Sequence, residues 1–228
     1  MRYFMGIDVG TNETKAVLID EKCEIVAFAS CGHDLLNPQP GFFEHDAEKT
    51  WWGDFCHLSR QLLAESGVDA KDVGCVGLSA LGCDCVPVDA EGTALCNAIL
   101  YGVDSRSHKE IEWLYAYYGK EEAERLYGHE LCSSDIAPKI LWVKNNLPDV
   151  YAKTAKFLTG SSYLCAKLTG KFTIDRYLAE DFAPLYNLTN DTVDEEHCGL
   201  YCRPDQLARV MNATDVAGAV TAKAAAQT

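Results

Sequence analysis

The amino-acid sequence predicts an α/β protein in which a mixed β-sheet is flanked by helices. Residues 2–31 contain apolar runs separated by short polar turns, which is the pattern of β-strands in a meander. Residues 46–65 repeat apolar side chains at helical spacing, and after further strand-like runs the pattern is helical again from residue 105. Strands, one helix, more strands and then helices are the order expected of a mixed sheet with helices on its faces.

The first three strands are predicted to form a meander. They cover Arg2–Val9, Thr14–Asp20 and Glu24–Ser30. The segments between them, residues 10–12 and 21–22, contain glycine and polar residues that favour turns. Such short connections make the neighbouring strands antiparallel.

A long helix and three more strands are predicted next. Asp46 is a suitable N-cap for the helix, and Gly67 is a suitable stop. One apolar stripe on this helix consists of Trp51, Phe55, Leu58 and Leu62. Of the adjacent residues Trp51 and Trp52, we expect one to lie in the core and the other to be half-exposed. The strands that follow are predicted at Val73–Ala80, which should be buried, at Cys85–Val88 and at Ala98–Val103.

The remainder of the chain is predicted to be mainly helical. Helices are expected at Ser105–Tyr118, Glu121–Tyr127, Asp135–Asn145 and Ser161–Leu168, with further helix near Pro204–Met211. Residues 219–228 contain strong helix formers but lack a C-cap glycine or a following proline. We therefore expect the chain to be cut at its C-terminal edge.

Composition and charge limit the classes of partner. The chain has 228 residues and a formal net charge of −14 spread along its length, so its field repels nucleic-acid backbones. No apolar stretch approaches the roughly 20 residues of a membrane span, and no signal peptide precedes the first strand. We therefore expect a cytoplasmic protein that binds neither nucleic acid nor membrane.

The eleven cysteines are the unusual feature of the composition. An odd number without a signal peptide argues against a disulfide framework and favours reduced thiols. The close pairs Cys83/Cys85 and Cys198/Cys202 lack the spacing of a paired zinc motif. We therefore interpret these cysteines as buried small apolar side chains.

The first turn combines groups suited to a magnesium nucleotide. Backbone amides in a tight turn form a concavity for anions, and Gly10 permits a close approach and unusual backbone angles. Thr11, Asn12 and Thr14 can add side-chain donors, and Lys15 adds a cation suited to phosphate. Asp8 would repel a bare phosphate but suits a hydrated Mg²⁺ ion. From the spacing alone, the alternative is an ordinary hairpin whose polar turn faces water.

Four segments of the chain resemble known nucleotide- and sugar-binding sequences. The first phosphate motif of the actin-like ATPase superfamily resembles GIDVGTNETKAVLID, residues 6–20. Segments of the FGGY carbohydrate kinases are similar to NPQPGFFEHDAEKTWW at 37–52, VGCVGLSALGCDCVPVDAEGTALCNAILYGVDSRS at 73–107 and IAPKILWVKNNLPDVYAKTAKFL at 136–158. The segments follow the order of that family and resemble its xylulokinase-type members more than its glycerol kinases.

The resemblance implies an actin-like ATPase (ribonuclease H-like) lobe with a mixed five-stranded-type sheet flanked by helices. Residues 1–228 would form an FGGY-type N-terminal domain that binds sugar and phosphate, with the C-terminal lobe absent from this chain. ATP and Mg²⁺ would be the cofactors, with Asp8 as the metal-facing acid. The residues implied near the nucleotide phosphates are Gly10, Thr11, Asn12 and Lys15.

The family places the loop after the Val73–Ala80 strand over the sugar. Many xylulokinases have Gln-Met-His-Gly in this loop, whereas this chain has Leu-Gly-Cys-Asp, so a sugar-contacting histidine is missing. Either Cys83 or Asp84 takes over that contact, or the substrate differs. Asp104 and Arg106 match an Asp-x-Arg pattern near the sugar pocket. The structural alternative for this pair is an N-cap acid and a solvated arginine.

The implied function is ATP-dependent phosphorylation of a sugar hydroxyl, on a ketose such as xylulose or on a related polyol. The aspartate that accepts the hydroxyl proton is expected beyond residue 228, so the chain alone is expected to be inactive or nearly so. Glu44, His45 and Asp46 are kept out of the catalytic set, because Asp46 is expected to cap its helix and Glu44 to tie the loop.

The implied partners are the sugar or polyol, ATP and the chain's own C-terminal lobe. Whether two copies form a homodimer is left open by the sequence. One alternative function is a non-kinase actin-like ATPase, which an iron–sulfur cluster on Cys83 and Cys85 would support. Another is a sugar-binding regulatory module without catalysis.

Overall fold

The structure is a computed structural model that describes residues 2–228. Its strands are β1 Tyr3–Val9, β2 Glu13–Asp20, β3 Ile25–Gly32, β4 Glu44–His45, β5 Val73–Ala80, β6 Val86–Val88, β7 Ala98–Ile99, β8 Lys156–Leu158, β9 Thr173–Asp175, β10 Tyr186–Asn187, β11 Thr192–Val193 and β12 Arg209–Met211. Its α-helices are α1 Gly53–Ser66, α2 His108–Tyr118, α3 Lys120–Tyr127, α4 Ile136–Asn146, α5 Pro148–Lys153, α6 Gly160–Thr169, α7 Arg176–Glu180, α8 Glu195–Tyr201 and α9 Ala222–Ala225. Within these residues, no helix has both the length and the apolar character needed to cross a lipid bilayer.

The main sheet has the strand order β3-β2-β1-β5. Strand β2 is antiparallel to both β1 and β3, which confirms the predicted meander, and β5 runs parallel to β1. The register places Asp8 opposite Lys15 on β2 and beside Ser79 on β5. The acid and the cation predicted to act together therefore start from neighbouring strands at the same level of the sheet.

The main sheet has four strands in the described part of the chain, one fewer than the five-stranded-type sheet that was predicted. The predicted strand at β6 pairs with β8 in a separate two-stranded sheet, and β7 pairs with β4 in another. The chain changes direction between β5 and β6, where Cys83 has a φ of 60° in the left-handed region. This turn carries the backbone away from the main sheet before β6 begins.

The two faces of the main sheet have different environments. Ile7 and Val9 are buried on the face where α1 packs on β2 and β3 and where α6 packs on β5. On the opposite face, Phe4 is 37% exposed and Phe28 is 56% exposed. Strand β5, predicted to be buried, is therefore open at alternate residues, including Ser79. This open face contains the candidate site.

The helix predicted after Asp46 is present and begins with a π-helical turn over Ala47–Trp52. Asp46 caps this turn by accepting a main-chain hydrogen bond, and Gly67 ends α1 in the left-handed conformation, so both predicted boundaries are confirmed. The prediction of a half-exposed tryptophan is wrong, because Trp51 and Trp52 are both buried. The indole N–H of Trp52 donates to Gln227 Oε1 over 3.0 Å, so the C-terminal residues cover it.

Two other predicted elements differ from the structure. The strand expected at Ala98–Val103 is limited to two residues of β7. The helix expected near Pro204–Met211 is a single 3₁₀ turn over Pro204–Gln206, followed by strand β12. Pairing of β12 with β9 in parallel overrides the local helical pattern there.

Candidate active site

Asp8 and Lys15 line an open cleft on the exposed face of the main sheet. The cleft has a volume of about 380 Å³, and Ser79 on β5 lines its other side. The carboxylate of Asp8 makes no hydrogen bond or ion pair with residues 2–228. Lys15 Nζ lies 3.3 Å from Glu13 Oε2, and both side chains remain largely exposed. The cleft therefore offers a free carboxylate and a cation that solvent can reach.

The turn beside this cleft leaves two main-chain amides without a partner. The amides of Thr11 and Asn12 make no hydrogen bond within the described residues. The Gly10 amide donates to Glu13 O over 2.9 Å, so it is not available to a ligand. A Cβ at Gly10 would lie 2.9 Å from that same Glu13 oxygen. Glycine is therefore needed for the close approach of two main-chain segments, and Gly10 does not have a positive φ.

Two histidines that the sequence analysis did not select contact the back of this turn. His33 Nε2 lies 3.0 Å from Gly10 O, and His45 Nε2 lies 3.0 Å from Thr11 O. His33 directly follows β3 and His45 is the last residue of β4, and the spacing of these histidines in the sequence matches no binding motif. His45 belongs to a Glu-His-Asp run that was kept out of the catalytic set. Only the folded chain brings these rings to the turn.

Asp84 is fully buried and lies among protein groups. Its Oδ1 accepts the Tyr101 amide over 3.1 Å, while its Oδ2 has no partner within the described residues. Burial raises the pKa of Asp84 to about 7, opposed by the nearby Lys139 and by the Tyr101 amide. Lys139 is also fully buried and donates to Cys83 O over 2.5 Å, and burial lowers its pKa.

Asp104 and Arg106 form a buried ion pair. Arg106 donates to both carboxylate oxygens of Asp104, at 2.7 Å from Nη2 and 3.0 Å from Nε, and also pairs with Glu44 at 2.9 Å. Its guanidinium lies between the rings of Phe42 and Trp142, at 4.1 and 4.9 Å from their centroids. The side chain of Arg106 is 3% exposed, so it is not the solvated arginine of the structural alternative.

Asp104 is not the N-cap of the following helix, which was the other half of that alternative. The N-cap of α2 is Ser107, three residues further on. The carboxylate of Asp104 accepts the Arg106 amide over 3.0 Å and the Phe43 amide over 2.6 Å, and the second bond fixes the loop before β4. Glu44 ties the same loop, as predicted, through its contacts with Arg106 and Asn97.

The two cysteines near the predicted sugar loop have raised thiol pKa values. Burial and the Asp181 carboxylate raise the pKa of Cys83 to about 12, and burial raises the pKa of Cys85 to about 12. Within residues 2–228, the one group of three or more metal-ligating side chains lies elsewhere, at residues 129, 132 and 135. Cys83 and Cys85 are not members of that group.

Comparison with known proteins assigns the chain to a family. The model of the FGGY family of carbohydrate kinases, N-terminal domain, matches residues 3–228. The chain belongs to the FGGY family. Xylulose kinase from Bacillus subtilis (strain 168) is 28% identical to it over 170 residues, which cover 75% of this chain and 34% of that protein.

Solved structures of FGGY kinases share the fold. Xylulose kinase from Rhodospirillum rubrum superposes with a TM-score of 0.89 at 27% identity, covering 100% of this chain and 46% of that one. Plasmodium falciparum glycerol kinase with ADP superposes with a TM-score of 0.86 at 23% identity, covering 98% of this chain and 46% of that one. The predicted actin-like ATPase fold is therefore confirmed. This FGGY chain spans between about a third and a half of the length of these relatives, whose names give different substrates.

Proposed function

We propose that this chain is the N-terminal lobe of an ATP-dependent carbohydrate kinase that phosphorylates a hydroxyl of a ketose such as xylulose, or of a related polyol. The observation that carries the proposal is the cleft lined by the free Asp8 carboxylate and the Lys15 side chain, together with the two unpaired amides of the turn that joins their strands. Membership of the FGGY family supports the same reaction. An ordinary hairpin would not require an unpaired acid beside unpaired amides.

The nucleotide phosphates are the anion that fits these groups. The amides of Thr11 and Asn12 would donate to phosphate oxygens, and Lys15 would contribute its charge. The Thr11 hydroxyl lies 3.0 Å from the Tyr101 hydroxyl, which holds its side chain near the turn. Gly10 contributes by its tight packing against Glu13, which shapes the turn. The ADP bound to the Plasmodium glycerol kinase is consistent with nucleotide binding in this family.

The residues at the cleft also fit a magnesium ion. Asp8 is exposed and has no protein partner, and a single carboxylate of this kind suits a hard cation that keeps most of its water. When bound, Mg²⁺ would neutralise charge on the phosphates. No other acid of the chain is proposed as a ligand.

The sugar is proposed to lie beside the loop at residues 81–84. Cys83 is the candidate in this loop that keeps partial exposure, and as a thiol with a raised pKa it would act as a weak hydrogen-bonding group and not as a nucleophile. Asp84, Asp104 and Arg106 are buried, so we propose that they hold the wall of the sugar pocket in place.

Phosphoryl transfer requires groups beyond this lobe. The sugar hydroxyl oxygen bonds to the γ-phosphorus, the bond from that phosphorus to the β,γ-bridging oxygen breaks, and ADP leaves. A carboxylate must accept the hydroxyl proton, and we propose that this base lies beyond residue 228 in the C-terminal lobe. Closure of that lobe would exclude water and favour transfer to the sugar over hydrolysis. The eleven free thiols are consistent with the proposed location in the reducing cytoplasm.

The experiment compares the intact two-lobe protein with the 228-residue chain. ADP release is measured with MgATP and a panel of ketopentoses, ketohexoses and polyols, and the phosphorylated product is identified by mass spectrometry. We expect sugar-dependent ADP release from the intact protein and almost none from the chain alone. Sugar binding without ADP release by the intact protein would instead indicate a regulatory module. Sugar phosphorylation by the isolated chain would contradict the assignment of the base to the second lobe.

A further inference from the structure

Every carbonyl of the turn at residues 10–12 accepts a hydrogen bond from another part of the protein. Gly10 O lies 3.0 Å from His33 Nε2, and Thr11 O lies 3.0 Å from His45 Nε2. Asn12 O accepts the main-chain amide of His33 over 2.9 Å. Each carbonyl is an acceptor, so each histidine nitrogen in these contacts must carry a proton and donate it.

These contacts fix the direction of the two unpaired amides. A peptide unit is planar and trans, so its C=O and N–H point in opposite directions. Holding Gly10 O therefore directs the Thr11 amide away from His33, and holding Thr11 O directs the Asn12 amide away from His45. These are the two turn amides that have no hydrogen-bond partner within the described residues.

His45 is held as a neutral ring in one tautomer. The Trp51 indole can only donate, and its Nε1 lies 3.0 Å from His45 Nδ1, so Nδ1 accepts and the proton is on Nε2. The ring is fully buried. Burial lowers the pKa of His45 to about 4, and the neighbouring His33 adds to this effect, against the opposing influence of Thr11 O and Asp54.

His33 is held from both sides of its ring. Nδ1 lies 2.8 Å from Asp54 Oδ2 while Nε2 donates to Gly10 O, so both ring nitrogens face acceptor atoms when Asp54 is ionised. The same carboxylate oxygen accepts the Thr14 hydroxyl over 2.7 Å. The side chain of His33 is 6% exposed, and its ring packs edge-on against His45 with centroids 4.9 Å apart. The two imidazole rings thus pack against each other and together contact the carbonyls of Gly10 and Thr11.

We propose that His33 and His45 are positioning residues, which orient the Gly10–Thr11 and Thr11–Asn12 peptide planes so that their amides face the nucleotide phosphates. They act through the turn and do not themselves touch the ligand. The inference rests on the proposed nucleotide binding at this turn. Their role is to keep the amides preorganised, so that binding does not have to reorient two peptide planes.

The test uses matched substitutions in the intact protein. A glutamine side-chain amide reaches the position of a histidine Nε2, whereas an asparagine amide reaches only that of Nδ1. His45→Gln and His33→Gln should therefore retain the donor to the turn, and His45→Asn and His33→Asn should lose it. Trp51→Phe removes the indole N–H that fixes the His45 tautomer. The control is His57→Gln, on the exposed surface of α1.

The readouts are the Kd for MgADP from calorimetry, the separate KM values for MgATP and sugar, and the thermal midpoint. We expect each asparagine variant to bind MgADP about tenfold more weakly, as the loss of one hydrogen bond predicts. Each glutamine variant should stay within about threefold of the unaltered protein, and Trp51→Phe should lose about threefold. The KM for sugar should change little in all of them.

Several outcomes would overturn the proposal. Equal MgADP affinity of the glutamine and asparagine variants, or a parallel rise of both KM values, would show that the histidines support only the fold. Should the asparagine variants fail to fold, the same comparison is made between Trp51→Phe and His57→Gln, and equal affinities there count against the proposal. If the unaltered protein does not bind MgADP, the proposed nucleotide site fails and this inference fails with it.

Discussion

Two groups of polar residues selected from the same resemblance have opposite environments. Asp8 and Lys15 lie exposed at an open cleft, and Asp8 has no protein partner. Asp84, Asp104 and Arg106 are buried, and Arg106 contacts two carboxylates and two aromatic rings. A motif match selects residues that keep a fold in place as well as residues that bind a ligand. Burial separates the two kinds.

Substitutions in the buried group and in the exposed group are therefore expected to have different effects on the stability of the fold. Removing one partner of a buried pair leaves a charge without compensation in a medium of low polarity, which destabilises the fold. Removing an exposed group with no protein partner costs the fold little, so the whole effect should appear in ligand binding. Stability and activity measured on the same variants therefore test the comparison directly.

The largest effect is expected for Arg106→Met. This change leaves Asp104 and Glu44 without their cation in the interior, and we expect the free energy of unfolding to fall by about 3–5 kcal/mol. Urea unfolding followed by circular dichroism measures the change. The matched control is Arg125→Met, which breaks an exposed pair with Glu122 on α3 and should leave the stability nearly unchanged. Equal effects of the two changes would contradict the distinction between buried and exposed groups.

The second effect is a pH dependence that comes from Asp84. Its pKa is raised to about 7 in the fold, whereas in the unfolded chain it titrates near 4. Between pH 4 and pH 7, Asp84 is protonated in the folded chain and ionised in the unfolded chain. The stability of the fold therefore falls as the pH rises from 4 to 7 and is level above pH 7. The stability difference between the unaltered chain and Asp84→Asn should change by on the order of 3 kcal/mol across this window. A difference that is independent of pH, or that increases with pH, would contradict the burial argument.

The sequence predicted the local elements well, because their signals are local. The meander follows from apolar runs separated by short turns, and the helix capped at Asp46 follows from helical spacing and a capping side chain, all within one stretch of chain. The strand at Arg209–Met211 was missed, because its partner Thr173–Asp175 lies far away in the sequence. The tryptophan pair was misjudged for a similar reason, since the hydrogen-bond partner of the Trp52 indole is Gln227, which is far away in the sequence.

The candidate site shows the same limit. The acid, the turn and the cation at residues 8–15 could be predicted, since they are close in sequence and chemically distinctive. The support from His33 and His45 could not, because it depends on which carbonyl each ring reaches in the folded chain. The burial of Arg106 could not be predicted from the sequence either, because the rings that cover its guanidinium, Phe42 and Trp142, come from two distant segments of the chain.

The third effect is a loss of activity without a loss of stability. In the intact protein, Asp8→Asn should reduce kcat/KM for MgATP by about a hundredfold, because the proposed site loses the charge that faces the metal. Its unfolding curve should match that of the unaltered protein, since Asp8 has no partner in the fold. Asp149→Asn, at an exposed position on α5, serves as the control for removal of an acid from the surface. An unchanged rate for Asp8→Asn would place the metal elsewhere.

The smallest effect is expected for Lys15→Met. Lys15 is 55% exposed and already lies 3.3 Å from Glu13, so water and that carboxylate weaken its attraction for phosphate. We expect the KM for MgATP to rise by about tenfold in the intact protein, with a smaller difference at high salt because the interaction is screened. Lys22→Met, at the opposite end of the same hairpin, is the matched control and should leave this KM unchanged. If Lys15 and Lys22 behave alike, Lys15 is an ordinary surface lysine and the turn amides alone must hold the phosphates.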